Sequence, residues 1–188
     1  WRRPWPSPKR YSRFDTLFLF YYVYIHFQKD DIMQDLFLPL SLTMGVIGWS
    51  LVALWFGVPA LARITRRDHL AALILPHVFR YIGLGFLMTG VTAEVLDPRF
   101  SEPAAWGDLA AAALALLALL ALRQGWSVAT PVVWVFNIFG TLDLLYAVTQ
   151  GTRFGQAPLM GATYFIPAVA VPLLLVTHFL IFRRLRAN

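Results

Sequence analysis

The chain contains no cysteine, which excludes disulfides, thiolate metal centres and cysteine nucleophiles. Charge is scarce too. Only 14% of the 188 residues are charged while 59% are hydrophobic. The mean hydropathy of +0.61 lies outside the range of ordinary soluble domains. Recognisable catalytic patterns are also missing: no Ser-His-Asp, HExxH or paired-carboxylate arrangement can be placed. Gly83-x-Gly85 sits inside an apolar stretch with no strand before it, so it serves helix packing rather than phosphate binding. No internal repeat supports the inverted-repeat logic of transporters. These absences point to a non-enzymatic membrane protein with no separate soluble module.

The net charge of +6 comes from sixteen Lys and Arg residues split among short loops and tails. That distribution describes membrane topology rather than a nucleic-acid surface. Residues 1–35 form a first region. Its arm, Trp1 to Arg13, is basic and Pro-rich and favours anionic headgroups, and the short aromatic run Phe14 to Phe27 follows it. A signal peptide is disfavoured because His26-Phe27-Gln28-Lys29 offers no small-residue cleavage site. We read the aromatic run as a short, thinned span, and Met33 marks the first 32 residues as a potential appendage.

Residues 36–188 carry five strong spans: Leu36–Ala62, Leu70–Val91, Ala104–Leu122, Thr130–Val148 and Ala162–Phe182. The expected fold class is therefore an all-α polytopic transmembrane bundle of five strong spans plus the short aromatic one, six in all. Pro76 is placed to kink the second strong span, and Thr130-Pro131 reads as an N-cap followed by proline at the first helical position. The third strong span reads as a featureless Ala/Leu helix with no chemistry to offer. The loop Glu94–Asp108 before it holds Glu94, Asp97, Glu102 and Asp108, scattered carboxylates expected to be solvated rather than metal-bound. With six spans, twelve basic residues fall on one side, three on the other, and Arg80 within the membrane. That asymmetry puts both termini in the cytoplasm and the protein in the plasma (inner) membrane.

Pro76-His77-Val78-Phe79-Arg80-Tyr81 then poses the main question. An arginine at mid-bilayer costs roughly 2.5 to 3.5 kcal/mol on insertion scales, so a partner is required. Depth along the helices, at about 1.5 Å per residue, selects Asp143, and we expect Arg80 and Asp143 to form a buried ion pair. His77 lies one turn inward of Arg80 on the same face, and His178 and Asn137 fall at similar depth. Two histidines on different helices form the candidate ligand set for haem b. With Asn137 and Tyr81 they form a candidate site for a quinone or pigment.

Two function classes follow. The leading one is a non-catalytic subunit or scaffold of a larger membrane assembly, with a lipid environment, a membrane-protein partner or second copy, no nucleic acid, and no cofactor required. The alternative is a membrane redox or ligand-binding protein holding haem b, quinone or a pigment near His77 and His178.

Overall fold

The computed structural model describes residues 36–187. Residues 1–35, with the basic arm and the aromatic run, lie outside the described part. Among the described residues there is no strand, and five helices are long and apolar enough to cross a membrane. We number them α1 (Leu36–Leu61), α2 (Arg66–Leu87), α3 (Pro98–Gln124), α4 (Ala129–Arg153) and α5 (Gly161–Arg186). Short connections make neighbouring helices antiparallel.

One turn of the sequence reading needs correction at the start of α3. The stretch Glu94–Asp108 is loop only as far as Asp97, whose side chain accepts a hydrogen bond from the Arg99 N–H and caps the helix, with Pro98 in the first turn. Proline there loses no hydrogen bond because the first N–H groups of a helix have no intrahelical acceptor. Asp97 also receives the Arg99 guanidinium, which with the backbone N–H pulls its carboxyl down to about 2. Asp108 consequently sits three turns into the helix and is buried.

A second correction concerns α4. Its cap residue is Val128, with no side-chain hydrogen bond, and Thr130 already lies within the helix. The turn before it does the work of a cap: Ala129 N–H donates to the Trp126 carbonyl and Val132 N–H to that of Val128.

α2 changes winding midway. Arg66–Ile74 is α-helical, with Thr65 as its N-cap, and Leu75–Leu87 continues as a 3₁₀ helix of thirteen residues. Pro76 at its start has no N–H to donate, which removes one α-type hydrogen bond where the tighter winding begins. So the effect of Pro76 is a change of helix type. At three residues per turn, positions three apart stand in one straight row. His77, Arg80, Gly83 and Phe86 are that row, and they are the buried residues of this half of α2. The adjacent row, Pro76, Phe79 and Ile82, faces outward.

α3 lies against α2 on one side and α4 on the other. Its buried stripe is nearly all alanine (Ala104, Ala111, Ala115, Ala118), and Leu116, Leu117 and Leu120 point away. Small residues are what permit close helix approach in lipid, where apolar burial gives little preference for helix over acyl chain. The Ala/Leu pattern therefore marks a central helix whose leucines face outward.

α5 begins with a 3₁₀ turn, passes through a π-type segment at Ile166–Ala170, and is α-helical from Val171. Prolines 167 and 172 leave carbonyls without helical donors. α1 docks there: the Trp49 indole N–H donates to the Val169 carbonyl at 3.1 Å, Ser41 and Tyr164 share a hydrogen bond of 2.8 Å, and Gly45 lets Pro172 approach. The rest of α1 is largely uncovered, with Trp55 and Phe56 about two-thirds exposed.

Side chains pack in layers. Leu70, Ile74, Ala118, Val133, Phe136 and Ile181 fill the end of the bundle that carries the α1–α2 and α3–α4 loops. Phe86, Phe100, Ala104 and Met160 fill the other. Between the two lies a polar layer.

Candidate functional site

Arg80 is the centre of that layer, and its side chain has no solvent exposure. Its Nε donates to Asp108 Oδ1 of α3 at 2.8 Å, one terminal nitrogen donates to the Gly140 carbonyl of α4 at 3.1 Å, and the other pairs closely with Asp143 Oδ2 of α4. The structure thus brings Arg80 and Asp143 into contact and adds Asp108, which the sequence reading had placed in a solvated loop. Two carboxylates on one guanidinium make a charge-assisted clamp across three helices. Removing Arg80 leaves both carboxyls buried without a cation.

Three glycines make the clamp sterically possible. A Cβ at Gly83 of α2 would run into the Asp108 carboxyl, and one at Gly107 of α3 would run into that of Asp143. At Gly140 of α4 a Cβ would stand 2.8 Å from His178 Nε2 and 3.0 Å from Arg80. Each polar side chain is seated in the notch that a glycine opens on a neighbouring helix. The reading of Gly83 as a packing residue acquires a specific object here, since what it packs against is a carboxylate.

The histidines form a second, adjoining group. His77 and His178 are both fully buried, with ring centroids 4.2 Å apart, and Phe136 lies against each of them. Asn137 Nδ2 donates to the His178 carbonyl at 3.3 Å, which turns its Oδ1 toward His178 Nδ1 at 2.6 Å, so that nitrogen carries the proton. The Thr177 hydroxyl donates to a carbonyl one turn back and is left to accept from His77 Nε2 at 2.9 Å. Each imidazole then holds one proton. The remaining nitrogens, His77 Nδ1 and His178 Nε2, are buried without a hydrogen-bond partner among the described residues.

This geometry does not fit a haem held between the two rings. They touch each other, leaving no gap for a macrocycle, and a nitrogen of each is committed to Thr177 or Asn137. The fourth ligand candidate, Tyr81, is 49% exposed and falls in a different row of the 3₁₀ helix from His77 and Arg80.

A cleft of about 380 Å³ opens instead beside the clamp, between α2 and α5. Pro76, Phe79 and Ile82 form one wall and Ile166, Ala170 and Leu174 the other, while Arg80 and Asp108 are the charged groups that line it. Phe79 and Ile82 are about half exposed, so the cleft reaches the outer, lipid-facing surface of the bundle. Neither histidine lines it. Chemically it offers apolar walls with a single polar spot, the arrangement that holds an amphiphile by its body and orients it by its head.

Residues 37–186 match the family model described as a domain of unknown function, DUF8737. No curated protein and no solved structure matches the chain.

Proposed function

Because the chain belongs to the DUF8737 family, described as a domain of unknown function, we propose a function from the geometry: a non-catalytic integral membrane protein that takes an amphiphilic molecule from the bilayer into the cleft between α2 and α5. The observation that carries this reading is the pairing of lipid-facing apolar walls with Arg80 and Asp108 beside them. The volume falls within the range of small-molecule sites. This moves the ligand reading from the His77–His178 pair to the clamp. Mass spectrometry of the purified protein should find a copurifying amphiphile near one per chain. The Ala72→Trp variant, which fills the cleft from α2, should lack it. Equal retention by that variant, or no bound molecule in the parent, would sink the reading.

A second reading, as a subunit of a larger membrane assembly, is favoured by α1, whose most apolar window is only 6% buried by the rest of the chain. A membrane-protein partner or a second copy laid along α1 would cover it. A stoichiometric partner or homo-oligomer in mild detergent supports this, and a monomer that stays functional alone counts against it. Both readings share a topology with the termini in the cytoplasm and residence in the plasma membrane. The supporting asymmetry is that Arg63, Arg66, Arg67, Arg123, Arg183, Arg184 and Arg186 gather at one end of the five helices and Arg99 and Arg153 at the other.

A further inference from the structure

When both carboxyls are ionised, Asp108 and Asp143 set two negative charges against the one on Arg80. The histidine pair adds none, since each ring holds a single proton. The clamp is then one positive charge short of neutrality. In an apolar interior an uncompensated charge is strongly disfavoured, so the layer takes up either a counter-charge from elsewhere or a proton on one carboxyl.

Asp108 is where that counter-charge has access. Its Oδ1 is taken by Arg80 Nε at 2.8 Å, whereas its Oδ2 accepts no hydrogen bond among the described residues. The residue is 7% exposed and lines the cleft. Arg80 lines the cleft too, and each of its nitrogens donates a hydrogen bond, to Asp108, Gly140 and Asp143, but its side chain has no exposure, whereas that of Asp108 is 11% exposed. The accessible group with unused hydrogen-bonding capacity at the polar spot is thus an acceptor, and an ionised one carries negative charge. A head that donates hydrogen bonds and carries one positive charge satisfies both deficits at once. A neutral head satisfies one of them, and an anionic head adds to the surplus.

We propose that the cleft is selective for amphiphiles with a single positive charge, a protonated amine head seated against Asp108 with the apolar body between α2 and α5. The inference rests on the cleft reading above and narrows it to a ligand class. The bound amine would complete the clamp as a four-membered array of alternating charge: amine, Asp108, Arg80, Asp143. This gives Asp108 two roles, positioning Arg80 through one oxygen and recognising the ligand through the other.

Three probes of equal chain length separate the outcomes: dodecylamine, dodecanol and dodecanoate, each added to the full chain in non-ionic detergent and followed by native mass spectrometry. Dodecylamine should bind about tenfold more tightly than dodecanol, as expected for one partly buried charge pair, with dodecanoate weakest. Asp108→Asn should erase that preference while dodecanol still binds, and Ala72→Trp should block all three. Equal binding of dodecylamine and dodecanol by the parent would overturn the inference and leave the cleft reading intact, because the surplus carboxylate would then be neutralised by a proton of its own. A preference that survives in Asp108→Asn would overturn the assignment to Asp108. Binding of none of the three would overturn the cleft reading as well. Should Asp108→Asn fail to fold, the parent series and Ala72→Trp still decide the question.

Discussion

The two halves of the bundle are held together by different physics. Toward the α1–α2 loop, Leu70, Ile74, Val133, Phe136 and Ile181 pack over the alanine stripe of α3 in an apolar cluster. Around Arg80, the same helices are joined by ion pairs seated in glycine notches. Apolar packing degrades gradually, because neighbouring side chains relax around a small change. The clamp hangs on one residue: losing Arg80 strands both carboxyls. The comparison teaches that specificity in this molecule resides in its polar half, while the alanine half supplies close approach.

The largest effect should come from striking the clamp itself. Arg80→Leu leaves two buried carboxylates facing each other and should cost roughly 3 to 5 kcal/mol or prevent assembly. Replacing Arg80 and Asp143 together is only a partial rescue, since Asp108 stays behind. The triple apolar variant at Arg80, Asp108 and Asp143 should recover most of the loss. Thermal stabilities of the single, double and triple variants check this, and additive losses along the series would mean that the three do not act as a unit.

A smaller effect is expected from the notches. Gly83→Ala and Gly107→Ala should each destabilise by about 1 to 3 kcal/mol, because the new Cβ collides with a carboxyl that has nowhere else to pair. Gly48→Ala on α1 is the control. Nothing lies within 4 Å of a Cβ there, so its melting temperature should match the parent within error. If all three glycines respond alike, the notches are not what distinguishes the polar half.

The smallest effect lies outside both halves, at the cap of α3. The Asp97 carboxyl is held at about 2 against an ordinary value of 3.8, chiefly by the Arg99 guanidinium. A carboxyl with a depressed folded-state value stabilises above its ordinary value and loses that contribution as pH falls through the depressed one. The melting temperature of Asp97→Asn should therefore sit slightly below that of the parent at neutral pH, and the gap should close as pH drops through 3.8 toward about 2. A gap that is unchanged at low pH would assign the effect to the backbone hydrogen bond alone.

The spans were legible because about twenty apolar residues in a row leave few other options. Depth was legible as well. Counting residues along the spans puts Asp143 within outward reach of Arg80, and the same count sets His77, His178 and Asn137 at a similar depth. Asp108 was missed because Pro98, Pro103 and four carboxylates made the stretch Glu94–Asp108 look like loop. Yet Asp97 before Pro98 is a helix start, and Ala104, Asp108, Ala111 and Ala115 follow the four-three spacing of a single buried stripe. The haem geometry failed for a different reason. Matched depth does not distinguish two rings that flank a cofactor from two rings that touch. Nor does hydropathy report the type of helix, although the spacing of His77, Arg80, Gly83 and Phe86 by threes was there to be read.

The 3₁₀ half of α2 also fixes a length. At about 2.0 Å per residue its thirteen residues extend roughly 26 Å, and the same residues wound as an α-helix would be about 6 Å shorter. Rewinding would also turn Phe86 by about half a revolution relative to His77, carrying one end of the buried row out toward lipid. The contacts of Arg80 and Gly83 with α3 and α4 hold the extended form in place. A clamp that looks like a device for joining helices is thereby also a ruler, setting how much membrane thickness α2 can match.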